Sequence, residues 1–556
     1  MIRRGGRVVS DAPAFGSPMP PEELRAWQRV RRYRVPRWMI EQAERHRRAG
    51  DWRGACAAAR MDAAFTLDGV ARDFGAGVAR RLAGDLRHFV PDLLRWHLPR
   101  GPGDMTVFDE HLMFLLARYD DRDAILQVSG PPSLDAPQRL RLTFGPAGPH
   151  TGRDWTGARH LFDDRYGGSL IADYGGAGRL PFFHADGTPR APHELPASDP
   201  GPGDAMARAE WSIMRCEDGD VAGAFGAAGF EVRPPADPAE LGGFMDGLRR
   251  RVGRPPVLAA RLRRLAAAEN GPVTTVIGSP YVPREMVAAE ADGDGGRLLL
   301  RPAEPGEYRS AKAANDWHQP FPDADLLRAG LIGPDELHPL VRSALFPARP
   351  AATGPVGPPD PEPPGPVRVR CRGEWHEVRW SGGALTGPHD PQDERREQAL
   401  RALGGRISGC FTVQRVWRTG RGRLPRALRR QRSELFLRAV HGDTPGVLRM
   451  LDAGMDPCVR DAQGRSLLHF LHAMNHRLVM PRLLAAGLDV NARDRSGRTP
   501  LSVAVTAHGS PALVRALLEA GADTRPGGAG PGFPGSFRRL VERAEREDLL
   551  PLLDGS

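Results

Sequence analysis

The chain has 556 residues, 40% of them apolar, with 54 prolines, 66 glycines and a formal charge of +10. That length exceeds one compact core and implies about three or four domains, while the absence of any stretch of 18 uncharged apolar residues excludes a membrane-spanning helix. Arginine supplies all the basic charge apart from Lys312, so the charge reads as compositional, an argument about solubility and nonspecific attraction to polyanions and not about fold.

The opening MIRRGGRVVSDAPAFGSPMPPEE has no apolar h-region, and residues 1–22 read as a disordered lead. Five cysteines (Cys56, Cys216, Cys371, Cys410 and Cys458) are odd in number, far apart and without a CxxC. That usage suits a reducing cytoplasm better than a disulfide framework. An N-terminal α+β domain follows over 23–189. Met39, Ile40 and Ala43 share one helical face, Gly50-Asp51 breaks it, and DWRGACAAAR restarts it. Amphipathic stretches at Leu67–Leu86 and Phe89–Leu98 come next. AILQVSG (124–130) and RLRLTFG (139–145) then alternate apolar and polar residues as strands do, and Trp155–Phe162 returns to helix. The Pro-rich loop at 190–204 separates this region from a mostly helical middle domain, 205–346. The latter holds a break at Asp218-Gly219-Asp220, an Arg-rich helix at 241–266 and a strand pair at 273–278 and 297–302.

Residues 347–366, PARPAATGPVGPPDPEPPGP, contain nine prolines and read as an extended, semi-rigid linker. Beyond it, 367–420 form a small α+β unit. VRVRC and HEVRW alternate around Arg372–Trp375, SGGALTG offers a third strand, Gln392–Leu403 a helix and GCFTVQRVW (409–417) a last strand. A unit this small is marginal by itself and should dock on a neighbour.

From Ser433 the chain repeats itself. Ser433, Ser466 and Thr499 are spaced by 33 residues, and Gly454, Gly487 and Gly521 by 33 and then 34, with Asp456, Asp489 and Asp523 in the same register. TPLSVAV and SLLHFL open the units, with SELFLRA a degenerate version; VLRMLDAG, VMPRLLAAG and LVRALLEAG close them, each with paired aliphatics and a terminal Gly suited to the left-handed end of a helix. The extra residue of the third unit is placed at Ala507–Ser510, and 533–555 read as a capping repeat that keeps Pro534 in step with Pro500.

This period and these motifs resemble the ankyrin repeat, a turn plus two short antiparallel helices. DVNARDRSGRT (489–499) is similar to the finger that leads from one ankyrin unit to the next. The resemblance implies three repeats plus a cap over 433–556, an all-α ankyrin-repeat solenoid at the end of a multidomain α+β chain whose N-terminal region mixes helices and strands. It also implies a protein partner, gripped at the concave face and the finger tips: Arg460, Asp461, Gln463, Arg465, Arg493, Asp494, Arg495 and Arg498. His469, at the motif's His position, is expected to bond between repeats. RYRVPRWMIEQA, DWRGACAAAR, DLLRWHLPR, HEVRW, ERREQALRALGG and GCF leading into RALRRQRSELFLRAVHGDTPGVL also resemble an uncharacterised group of actinobacterial ankyrin-repeat proteins, which implies architecture and no activity.

Three other clusters bear chemistry. His88, Asp92 and His97, with His160, Asp163 and Asp164, would serve acid–base or metal chemistry if the fold brought them together. No HExxH, GxSxG, P-loop or dinucleotide fingerprint accompanies them, and such clusters are more often structural. Cys371, His376, His389 and Cys410 are zinc-type ligands, but gaps of 4, 12 and 20 fit no known zinc pattern, and Cys371 reads as a buried strand thiol. Neither a metal nor a cofactor is therefore expected. RVWRTGRGRLPRALRRQR (415–432) holds eight Arg and Trp417 without an acid. Arg426, Arg429 and Arg430 are its candidate phosphate contacts, but charge alone supplies only nonspecific affinity. The favoured reading is a cytoplasmic protein–protein interaction scaffold or adaptor. The alternatives are an enzyme or effector with its chemistry in 23–345, and nucleic-acid binding through 415–432.

Overall fold

The computed structural model describes residues 19–101, 105–119, 124–148, 153–201, 203–249, 254–278, 282–304, 306–307, 321–403, 409–524 and 537–552. Most of the lead assigned to 1–22, with Lys312 and Pro534, lies outside them. Helix Pro21–Tyr33 begins inside that lead, with prolines at its cap and first position, where a missing N–H costs nothing. Two compact units emerge: Met1–Thr106, Leu112–Ser129 and Leu140–Pro358 form one, and Val107–His111, Gly130–Arg139 and Pro359–Ser556 the other.

The first unit carries two sheets. Strands β1 (Met61–Ala63), β2 (Met113–Tyr119), β3 (Ala124–Ser129), β4 (Leu140–Pro146) and β5 (Arg153–Asp154) lie in the order β1-β4-β3-β2-β5. The meander β2–β3–β4 is antiparallel, and both edge strands pair in parallel. β3 and β4 fall where alternation placed them. β2 has no alternation to read, because MFLLAR is buried on both faces from Phe114 to Ala117. The second sheet, in the order β6-β9-β8-β7, combines β6 (Phe230–Val232), β7 (Val273–Ile277), β8 (Val287–Ala291) and β9 (Leu298–Pro302). Its core joins Phe225, Phe230, Phe244, Leu262 and Leu300. The Arg-rich stretch is two helices, Pro238–Gly247 and Pro255–Glu269.

The Pro-rich stretch is tied down and does not run free. Arg349 and Gly357 both bond to Asp335, in the first unit. In the second unit Pro359 O accepts from Arg438, and Asp360 pairs with Arg449 at 2.5 Å. Proline removes donors but leaves carbonyls and neighbouring charges to be captured.

In the second unit, β10 (Val367–Cys371), β11 (Glu374–Ser381) and β12 (Ala384–Thr386) form an antiparallel sheet. Residues 409–417, expected as a strand, belong to helix Gly409–Thr419. Cys410, Val413, Val416 and Trp417 recur at helical spacing and are all buried, a period that outweighs the short alternation Phe411–Val413. The helical pairs follow: Arg426–His441 with Thr444–Asp452, a 3-10 turn Leu467–Phe470 with His476–Ala485, and Pro500–Thr506 with Pro511–Glu519. His508, at φ 53°, occupies the turn where the third unit carries its additional residue. Helix Phe537–Arg543 and the 3-10 turn Glu547–Leu552 end the described series. One continuous core runs from Val369, Val378, Val416 and Trp417 through Leu428, Leu435, Leu467 and Leu501 to Leu540 and Leu549. The small sheet is thus part of the hydrophobic interior of the repeats.

Candidate functional site

The six residues proposed for an N-terminal active site are each held by a partner of their own, with His88 and Asp164 holding each other. His88 Nδ1 meets Asp164 at the surface, 2.9 Å away. Asp92 accepts from His338 Nε2 at 2.9 Å, both buried. His97 bonds to the Leu161 carbonyl at 3.0 Å and packs on Phe321; burial, reinforced by Arg31, pushes its imidazole down to about 3. His160 pairs with Asp173 beside Arg261 and Arg264. Burial alone would raise the Asp173 carboxyl, but His160 and the two guanidiniums outweigh it and hold it well below the usual range. Asp163 binds Arg165. No motif points to Asp323, fully buried, which accepts from Arg31, from Tyr174 Oη at 2.6 Å and from Trp96 Nε1 at 3.3 Å. These groups are separated in sequence by up to 292 residues, so no local pattern announces them.

At the C-terminal end two turns repeat the same geometry 33 residues apart. Asp461 accepts from the backbone of Gln463 (2.9 Å) and Arg465 (2.8 Å) and from Arg465 Nε (2.7 Å). Asp494 accepts from the backbone of Ser496 (2.8 Å) and Arg498 (2.9 Å) and from Arg498 Nε (2.9 Å). Gly464 and Gly497 turn each tip at φ 77° and 78°, an angle that a side chain with a Cβ rarely adopts. Arg495 N donates to Gln463 O at 2.8 Å, which joins one tip to the next. His469 accepts from Ser466 N and reaches Arg498 O of the following unit at 3.1 Å, so Nε2 carries its proton. Burial lowers its imidazole to about 4.

Residues 435–526 match the family model for ankyrin repeats, in three copies. No curated protein matches the chain. The ankyrin fingers therefore carry Asp461, Arg465, Asp494 and Arg498 as internal ties, and of the eight tip residues Gln463, Arg493 and Arg495 are the exposed ones, with Arg460 partly buried. Part of the ankyrin rim is covered from within the unit. Trp417 O accepts from Arg460 N, Gly420 O accepts from Arg495 Nη2 at 3.0 Å, and His472 faces Asp135. In the Arg-rich run, Arg421, Arg423, Arg426, Arg429 and Arg430 are exposed, whereas Trp417 is fully buried against Trp380 at 4.6 Å and has no face for a base. Among the described residues no helix is long and apolar enough to cross a membrane.

Cys371, His376, His389 and Cys410, whose gaps match no zinc pattern, are brought together by the fold. Their donor atoms all lie within 4.8 Å of one another. Burial, with Cys371 beside it, pushes the Cys410 thiol up to about 12.

Proposed function

We propose that this chain is a scaffold or adaptor in the cytoplasm whose ankyrin array binds an acidic protein segment along a basic rim. The carrying observation is that Asp461 and Asp494 are buried and neutralised by Arg465 and Arg498, so the charge left for a partner at the tips is that of Arg493 and Arg495. The Arg495–Gly420 bond links those tips to the run holding Arg421, Arg423, Arg426, Arg429 and Arg430. A stacked array presents such a surface already ordered, so little conformational entropy is lost on binding. Rim charges of this kind govern association rate and salt dependence.

The test compares full-length chain with the Arg493→Glu/Arg495→Glu variant as baits in native, nuclease-treated lysate. The full chain is needed because Leu424, Leu428 and Trp417 share the repeat core, and a cut at residue 433 would strip it. Proteins held by the wild type should fall about tenfold or more on charge reversal. Equal recovery would refute the rim. Retention seen only in a parallel lysate without nuclease, and lost there in Arg426→Ala/Arg429→Ala/Arg430→Ala, would point to nucleic acid instead.

A further inference from the structure

The hairpin β10–β11 turns through Arg372 and Gly373, both at positive φ, and pairs Val369 with His376 and Cys371 with Glu374. Directly paired and alternate residues share a face, so Cys371 and His376 point to the same side as buried Val367, Val369 and Val378. His389 reaches that side from the segment between β12 and helix Pro391–Ala402. Cys410 comes from the first turn of helix Gly409–Thr419. Gly409 permits the approach: its φ is 57°, and a Cβ there would overlap the Cys371 side chain and lie 2.6 Å from its Cα. Two donors from a hairpin thus meet two from the chain that covers it.

The spacing of the donors is that of a coordination sphere. Cys371 Sγ lies 3.6 Å from His389 Nε2, Cys410 Sγ 3.6 Å from His376 Nδ1, and the two ring nitrogens 3.1 Å apart. A tetrahedron built with Zn–S of about 2.3 Å and Zn–N of about 2.0–2.1 Å has S–N edges of about 3.6 Å and an N–N edge of about 3.3 Å. Each imidazole also turns its other nitrogen toward a carboxylate: His389 Nδ1 lies 3.5 Å from Asp393 and His376 Nε2 3.9 Å from Glu374. Drawn in to hydrogen-bond length by a side-chain shift, such a carboxylate orients a metal-bound histidine and fixes its tautomer. Both sulfurs are buried.

We propose that Cys371, His376, His389 and Cys410 form a structural zinc site that clamps β10–β11 to helix Gly409–Thr419. Two thiolates and two neutral imidazoles balance the charge of Zn²⁺, and binding releases the two thiol protons to solvent. Four protein ligands leave no open position, so the metal serves folding and not catalysis. A small sheet with little interior of its own is where such a staple matters most. This inference stands apart from the partner reading, since it concerns the foundation beneath the repeats and not their rim.

The experiment measures zinc in the full-length chain, purified under reducing conditions and dialysed against metal-free buffer, by plasma mass spectrometry. About one zinc per chain is expected. Cobalt loading should add the visible bands of a tetrahedral ion and a thiolate-to-metal absorption in the near ultraviolet. Cys371→Ser, Cys410→Ser and His389→Gln should each retain less than about a tenth of the wild-type zinc, whereas Cys458→Ser, a cysteine outside the cluster, should keep it all. If the ligand variants do not fold, chelation of the wild type gives the second reading: amides of residues 367–380 and 409–419 should exchange faster after zinc removal and recover when it is restored. A wild-type chain that holds no zinc and shows no cobalt–thiolate band overturns the proposal. So does zinc retained by a Cys371→Ser/Cys410→Ser chain, a Cys371–Cys410 disulfide in the reduced preparation, or exchange indifferent to chelation.

Discussion

Replacing Trp417 with Ala measures whether the small sheet and the repeats are one cooperative body. Trp417 is fully buried and belongs to the core that continues through Leu428 and Leu435 into the repeat helices. Truncating a buried Trp costs about 3–5 kcal/mol. Its indole Nε1 has no hydrogen-bond partner among the described residues, so removing that unsatisfied donor returns about 1 kcal/mol. A net loss of about 3 kcal/mol is a change of roughly 150-fold in an opening equilibrium. Trp417→Phe keeps most of the ring and drops the donor, so it should lose only about 1 kcal/mol. Hydrogen exchange on the full-length chain reads the effect region by region. Amides of Arg426–His441 and Thr444–Asp452 should lose protection along with those of Gly409–Thr419. Faster exchange confined to Gly409–Thr419, with the repeat helices unchanged, would refute the shared core.

Asp494→Ala removes three hydrogen bonds at a finger tip and leaves Arg498 Nε without its carboxylate. A loss of about 2–4 kcal/mol follows for a buried, charge-assisted site, visible as accelerated exchange at 492–499; unchanged protection there would dismiss the tie. His469 sets an acid limit on the second repeat. Its imidazole, lowered from 6.5 to about 4, stays neutral in the fold while the unfolded chain takes up a proton. Its contribution is therefore complete above pH 6.5 and drains away as pH falls toward 4, by about 3 kcal/mol in all. Protection at 466–471 should drop across that window in the wild type and drop less in His469→Gln, where neighbouring His472, also lowered by burial to about 4, still titrates; identical profiles would remove the assignment.

Where function rests on local period, the sequence was a good guide. The 33-residue recurrence of Ser433, Ser466 and Thr499 located the repeats, because each ankyrin unit meets its successor through the same positions. β3, β4, β7, β9 and β10 were legible for the same reason, each alternating or bounded by turns. Local pattern failed where a segment answers to more than one neighbour. β2 is buried on both faces and reads as plain hydrophobicity, and Gly409–Thr419 mixes two periods that only its burial resolves.

Charge and chemistry divide along the same line. Asp461 and Asp494 look like surface acids in sequence, yet the turn folds them under their own arginines, so a rim that reads as mixed in sign is basic once folded. The Cys–His quartet has gaps of 4, 12 and 20 residues because its ligands arrive from a hairpin, a loop and a later helix. Ligand spacing is recognisable in sequence only when one short element supplies the pairs; here the distance that matters is across space, and the packing of helix Gly409–Thr419 over the β10–β11 face decided it.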